Sequence, residues 1–339
     1  GDKPPISIES NADRNVLIDF FDESFDLYNY LSKFMIVESE ESFYLFYMVH
    51  HIIFDAVSAG VFKSDLMTLL DGGSVDFDDV FLKASALTHQ IKSTDKFDEA
   101  SEFYHSFLSG LDDVGILQED DPSSEGYSMS TFDLKFDIMA FKSFLNNAGI
   151  SENVFFTGVF AYTLSQFVNG DKVGFTMIEN GRDRFNENFI DLTSNVMPIV
   201  IDCNNQNINS YMDDVADIVY GVLRHNYYPL LLLYQKYDIE IGILFQYVPN
   251  WIADDFDSIS DIGDIDAEEI INILLNSFGD FLTEFLVQVY QNGDNYSLLI
   301  SHSNRYSDRM INDFKDAFIS ILSNIINASG ASDLSSIFK

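Results

Sequence analysis

Ser42-Phe43-Tyr44-Leu45-Phe46-Tyr47-Met48-Val49-His50-His51-Ile52-Ile53-Phe54-Asp55 is the stretch on which the fold turns. Aromatic and β-branched residues dominate Ser42–Val49, which predicts a strand buried on both faces. From Ala56 the pattern changes. Val57, Val61, Phe62, Leu66, Leu69 and Leu70 recur at helical spacing, and Gly72-Gly73 stops the run. The two histidines and Asp55 therefore stand where a strand ends and a helix begins. Layered α/β folds put much of their chemistry at such junctions.

Downstream, the periodicity predicts helices at Asp79–Lys92 and Asp95–Leu108. Gln118–Gly126 is charged, contains Pro122 and Gly126 and has no periodicity, so it is the expected domain boundary. Beyond it the patterns predict a strand at Ser128–Phe136 and helices at Met139–Asn147 and Glu152–Phe167. Strands at Val173–Ile178 and Met197–Asp202, helix Ile208–Arg224 and strand Ile241–Val248 follow. Asp254–Asp266 is acidic and reads as an exposed loop. Strands Glu284–Tyr290 and Tyr296–His302 flank the turn Asn292-Gly293-Asp294-Asn295, and a helix spans Ser307–Asn327. This mixture predicts an α/β protein with two lobes.

Composition narrows the function. The 339 residues carry 55 Asp+Glu against 18 Lys+Arg, a formal net charge of −37. Such a surface repels phosphate backbones and disfavours nucleic acid as a partner. One cysteine, Cys203, excludes a disulfide framework and any multi-cysteine zinc or iron–sulfur site. A hydrophobic fraction of 47% with 32 Phe supplies apolar surface for one or two cores. The most apolar long stretch, Ile190–Cys203, is interrupted by Asp191, Asn195 and Pro198 and does not read as a membrane span. Gly1-Asp2-Lys3-Pro4-Pro5 has neither the basic start nor the apolar run of a signal peptide, so the expected location is the cytoplasm.

The candidate chemistry is His50-His51-x-x-x-Asp55. On a strand, adjacent side chains point to opposite faces, so one imidazole can be held in the core while the other faces a cleft. Asp55 can accept a hydrogen bond or pair with a cation, locking the turn and setting a ring's tautomer. Two plainer roles compete. A histidine on an apolar strand is commonly a core residue satisfied by one hydrogen bond. A metal site is a second alternative, weakened because adjacent strand histidines diverge and no further ligand cluster is apparent.

Tyr47-Met48-Val49-His50-His51-Ile52-Ile53-Phe54-Asp55-Ala56-Val57-Ser58 resembles the HHxxxDG core motif of condensation domains from nonribosomal peptide synthetases. Chloramphenicol acetyltransferase and other CoA-dependent acyltransferases share that motif more loosely. Further segments agree in order and spacing. Glu23-Ser24-Phe25-Asp26-Leu27 resembles the family's "PFDL" stretch, and Val173-Gly174-Phe175-Thr176 with Asn180-Gly181-Arg182 resembles "VGTPV…R". Ile190–Pro198 resembles "IGFFVNTLP", Leu244-Phe245-Gln246-Tyr247 a later strand, and Ser301–Ile321 the closing strand and long helix. The resemblance covers nearly the whole chain.

The resemblance implies two chloramphenicol-acetyltransferase-like lobes in a V, residues 1–125 and 126–339, with a tunnel between them passing the second histidine. It implies amide formation, in which the amine of an acceptor aminoacyl group attacks a donor acyl or peptidyl thioester. Both substrates would arrive on phosphopantetheine arms of donor and acceptor peptidyl carrier proteins, with an adenylation domain in the same polypeptide. No cofactor would be bound by the domain itself, and neither nucleic acid nor membrane would be a partner. Residue by residue, His51 matches the catalytic histidine, His50 a structural one, and Asp55 would pair with Arg182 in a bidentate contact that holds the loop. Ser58, Asn195 and Gln246 match candidate tunnel-lining positions, Asn195 being equally suited to bonding backbone. Lys92, Lys96, Arg224 and Lys236 are candidates for docking carriers.

Two departures stand out. Ala56 replaces the motif's glycine, and the histidine motif lies closer to the start than in family members. The N-terminal lobe is accordingly expected to lack its first strand and helices. Three other functions compete. An epimerization domain is hinted at by Val57-Ser58 but opposed by Ala59-Gly60, where that subgroup has Trp-Arg. A non-catalytic module that only docks carrier proteins and a CoA-dependent acyltransferase acting on a small acceptor complete the set.

Overall fold

A computed structural model of the chain describes residues 4–10, 14–38, 43–75, 94–109, 114–182, 187–204, 207–237, 242–249, 284–328, 330 and 332–336. The expected helix Asp79–Lys92, the acidic stretch Asp254–Asp266 and Lys92 lie outside these residues. Packing divides the chain into two compact units. Among the described residues, one holds those up to 75 together with 182 and 187–193, and the other holds the rest. This differs from a single cut after residue 125.

The first unit is built on a three-stranded sheet, β1 (Ile6–Ser10), β2 (Ser32–Glu38) and β3 (Phe43–Val49), in that order. β1 runs parallel and β3 antiparallel to β2, with Phe34 opposite Tyr47 and Met35 opposite Phe46. Period-two alternation sends these pairs to opposite faces. One face meets helix α1 (Arg14–Asp22), where Leu17 and Phe21 bury Met35 and Val37 with Phe46 alongside. On the other, Phe62 of helix α2 (Ala56–Leu70) packs on Tyr47 and Phe34, with ring centroids 4.9 and 6.1 Å away. Lys33 is buried in this unit, and its ammonium donates to the carbonyls of Phe20 and Glu23 at 2.5 and 2.9 Å. With the Glu23 carboxylate at 3.1 Å, these partners satisfy the charge and close the end of α1.

β3 is not buried on both faces. Among the described strands it stands at the end of the sheet order, Phe43 and Leu45 are exposed, and none of its residues is fully buried. Apolar composition predicts the strand, but the number of neighbours is set by sheet order.

Among the described residues the first element of the second unit is helix α3 (Asp95–Leu108), which buries Ala100, Tyr104 and Leu108 in the unit's core. The short strand β4 (Val114–Gly115) and strand β5 (Tyr127–Leu134) follow. Helices α4 (Ile138–Ala148) and α5 (Glu152–Ser165) come next, then β6 (Lys172–Glu179) and β7 (Asn195–Asp202). Helices α6 (Ile208–Arg224) and α7 (Leu230–Tyr237), strands β8 (Ile243–Val248), β9 (Phe285–Asn292) and β10 (Asn295–Ser303), and helix α8 (Asp308–Asn327) complete it. Seven strands form one mixed sheet, ordered β4-β6-β8-β9-β10-β5 with β7 also paired to β6. α5 is buried at every position from Val154 to Leu164, the pattern of a helix surrounded by core. Gly293 takes φ 61° in the tight β9–β10 turn, where an L side chain would be strained.

The polar stretch 118–126 belongs to this unit and is not a linker. Asp120 accepts from the Ser307 amide at 2.7 Å at the start of α8, and Glu119 pairs with Arg305 at 3.0 Å. Its charges have partners far along the chain, which composition alone does not reveal. The result is a mixed α/β fold. Among the described residues no helix is long and apolar enough to cross a membrane.

Candidate active site

β3 ends at Val49, and the His50 amide still donates to the Leu31 carbonyl at 2.8 Å. The chain then enters a 3-10 turn, His51–Ile53, capped by His50. The two histidines therefore do not alternate along a strand as expected. His50 caps the turn and His51 begins it.

Their ring nitrogens face opposite kinds of partner. His50 Nδ1 lies 3.1 Å from the Ile52 amide, which donates, so the proton of a neutral His50 sits on Nε2. Phe25 packs against this ring edge-on with centroids 5.6 Å apart. His51 Nδ1 lies 2.5 Å from the carbonyl oxygen of Phe54, which can only accept. Nδ1 of His51 therefore carries the proton, and Nε2 is left with a lone pair. The His51 side chain is exposed.

Asp55 follows as the N-cap of α2, at φ −125° and ψ −179°. Ala56, where the resembled motif has glycine, is the first residue of a right-handed helix and needs no positive φ. Alanine is at home there.

The Asp55 carboxylate is the centre of a buried polar clasp. Oδ1 accepts from the Ser58 amide at 2.9 Å, the Ser58 hydroxyl at 2.8 Å and Arg182 Nη2 at 2.6 Å. Oδ2 accepts from the amide and hydroxyl of Thr193 at 3.0 and 3.1 Å. Arg182 also donates through Nη1 to the Phe189 carbonyl at 2.6 Å and through Nη2 to the Asp191 carbonyl at 3.1 Å. The described Asp55–Arg182 contact runs from Nη2 to Oδ1. Thr193 faces the second carboxylate oxygen, and Nη1 is turned to the chain at Phe189. The two side chains are only 3% and 5% exposed, so this is a desolvated ion pair.

Electrostatics follow from this packing. Burial pushes the Asp55 carboxyl up, but the Ser58 and Thr193 amides, the Ser58 hydroxyl and the Arg182 charge outweigh it. The net result holds it below its ordinary value. Asp191 moves the other way. Its burial raises the carboxyl more than the Leu192 amide and Arg182 lower it.

Ser58, expected on a tunnel wall, is fully buried. Its hydroxyl accepts from Arg182 Nη2 and the Asp191 amide, both at 3.0 Å, and its one proton is shared between Asp55 Oδ1 and the Asp191 carbonyl at 2.7 Å. A side chain so enclosed does not line a passage. One signal for this role was present: a serine three residues after an N-cap aspartate occupies the position whose amide the cap bonds. Thr193, Asp191 and the Phe54 carbonyl were not anticipated, and nothing local in the sequence marks them. Asn195 and Gln246 lie in the second unit. Asn195 Nδ2 donates to the Asn226 carbonyl at 2.8 Å, and Gln246 Oε1 accepts from Gln288 at 2.6 Å. Lys96, Arg224 and Lys236 are exposed. Among the described residues no cluster of three or more His, Cys, Asp or Glu could hold a metal ion.

The geometry provides an exposed imidazole with a defined acceptor nitrogen, on a turn anchored by a buried ionic clasp. Comparison with known proteins agrees with the motif. The family model "Condensation domain" matches residues 7–336. No curated protein matches the sequence. Several solved structures share the fold. The condensation domain of the Monacolin K polyketide synthase MokA superposes with a TM-score of 0.71 at 13% identity, covering 97% of this chain and 80% of that one. The first condensation domain of the CDA synthetase gives 0.66 at 14% identity, covering 98% and 76%. The epimerization domain from the third module of tyrocidine synthetase B gives 0.67 at 14% identity, covering 95% and 79%.

Proposed function

We propose, because this chain belongs to the condensation-domain family, that it catalyses amide formation between two carrier-bound substrates with His51 as the residue that handles the proton. The acceptor's amine nitrogen attacks the carbonyl carbon of the donor thioester. The C–N bond forms, the C–S bond breaks, and the donor's pantetheine arm leaves as a thiol. The proton lost by the amine passes through His51 Nε2 to the departing sulfur. The partners are a donor and an acceptor peptidyl carrier protein, with an adenylation domain supplying the activated residue. The domain holds no cofactor of its own in this scheme.

The observation that carries this proposal is the hydrogen bond from His51 Nδ1 to the Phe54 carbonyl. It leaves a proton acceptor on the other ring nitrogen, as a general base requires. An α-amine has a pKa near 8, so a fair fraction is already free at neutral pH. His51 therefore contributes most by positioning the amine and by taking its proton once the C–N bond has begun to form. His50 stays structural in this reading, with its Nδ1 committed to the turn.

The test is a reconstitution with loaded donor and acceptor carriers, following the condensed product on the acceptor carrier. His51→Ala is expected to lower the rate by about 100- to 10,000-fold. Undiminished product from that variant, or turnover of an acyl-CoA with a free amine and no carriers, would overturn the proposal. Chiral inversion of a carrier-bound residue without condensation would point to epimerization instead.

A further inference from the structure

We infer that Thr193 and Ser58 are positioning residues for His51, acting through Asp55 and the peptide that joins Phe54 to Asp55. This rests on the proposed role of His51 as the proton-handling imidazole.

The oxygen that fixes the His51 tautomer belongs to the Phe54–Asp55 peptide. That group is planar, so its oxygen can move only if the plane tilts. One end of the plane is held by the 3-10 turn, where the Phe54 amide donates to the His51 carbonyl at 3.4 Å. The other end is Asp55, whose own carbonyl accepts from the Ala59 amide at 3.1 Å as α2 begins. Its carboxylate anchors Asp55 further.

Among the described contacts five donors reach that carboxylate, four of them from Ser58 and Thr193, the single Ser58 hydroxyl proton being shared with the Asp191 carbonyl. An ionised carboxylate offers about four lone-pair directions, so these donors are enough to occupy it. Arg182 reaches Oδ1 at 2.6 Å. Thr193 holds the other oxygen, Oδ2, with two donors, so the carboxylate is gripped at both oxygens. Ser58 joins the same carboxylate to both the amide and the carbonyl of Asp191, tying residues 189–193 to the start of α2. The route from Thr193 to His51 is therefore continuous: hydroxyl to carboxylate, carboxylate to backbone, backbone carbonyl to Nδ1.

The experiment compares wild type with Thr193→Val, Ser58→Ala and Thr193→Ser. Nitrogen chemical shifts in histidine-labelled protein report the His51 tautomer, with His51→Asn assigning the signal. Reconstituted condensation reports kcat, KM for the acceptor carrier and the pH profile. Thr193→Val is expected to mix the His51 tautomers and lower kcat by about 10- to 100-fold with KM unchanged. Ser58→Ala is expected to do at least as much, and Thr193→Ser to restore both readouts. If Thr193→Val does not fold, as judged by circular dichroism, Thr193→Cys takes its place. A folded Thr193 variant without the hydroxyl that keeps the wild-type tautomer and kcat overturns the inference. A tautomer shift in a protein that never condenses carrier substrates overturns the proposed function and leaves the positioning role standing.

Discussion

His51 and Phe54 are joined by a hydrogen bond of 2.5 Å from ring Nδ1 to backbone oxygen, and three residues of chain close around it. The bond ties the protonation pattern of the imidazole to backbone conformation. His50, one residue earlier, makes the opposite commitment by accepting at Nδ1 from Ile52.

Neutral His50 and His51 should therefore populate different tautomers. In nitrogen-resolved NMR of labelled protein at alkaline pH, His51 is expected to carry its proton on Nδ1 and His50 on Nε2. Identical tautomers for the pair would contradict the turn geometry.

The ion pair beneath the turn is expected to be strongly coupled. Asp55→Ala leaves Arg182 buried without its carboxylate and should cost about 3–5 kcal/mol in urea unfolding. Asp55→Ala combined with Arg182→Ala should cost clearly less than the sum of the two single changes. Strict additivity would mean that the two groups do not interact in solution.

Acid should weaken the same clasp. The Asp55 carboxyl is held below its ordinary value in the folded chain. The unfolded state therefore binds the proton first as pH falls, and folding is favoured above the unfolded value of about 3.9. This contribution is complete above that pH and disappears as pH drops through the lower, folded value. Stability measured from about pH 5 downward should fall more steeply in wild type than in Asp55→Asn, which has no proton to bind. Parallel profiles would remove Asp55 from the acid response.

Cys203 should be inert while the chain is folded. Its thiol is buried, with Sγ 3.6 Å from the Ala161 carbonyl, and burial pushes it up to about 12. Against the ordinary value of 9.0, that leaves on the order of 1,000-fold less thiolate at neutral pH. Titration with a disulfide reagent is expected to find one reactive thiol in denaturant and negligible reaction without it. Rapid labelling of the native chain would show that the pocket around Cys203 opens.

Strong local patterns translate directly into elements. α2, α3 and α6 span Ala56–Leu70, Asp95–Leu108 and Ile208–Arg224, the ranges their apolar periodicity predicts. The local patterns do not predict β1, α1, β2, β4 or α7. β1 is mostly exposed, so burial imposed little pattern on it, and β2 carries the buried Lys33 near its start. Such strands exist because a neighbour supplies the hydrogen bonds, and a neighbour is not a local property.

Spacing along the chain determined that two histidines and an aspartate would fall at a strand-to-helix junction, and the ordered motifs determined the family. Only the tertiary structure decided that the histidines sit on a turn, that a backbone carbonyl holds the His51 proton, and that Ser58 and Thr193 share the Asp55 carboxylate. Helical and strand periodicity are enforced by residues a few positions apart. Thr193 and Asp55 are separated by 138 positions, and their meeting depends on how the intervening chain packs.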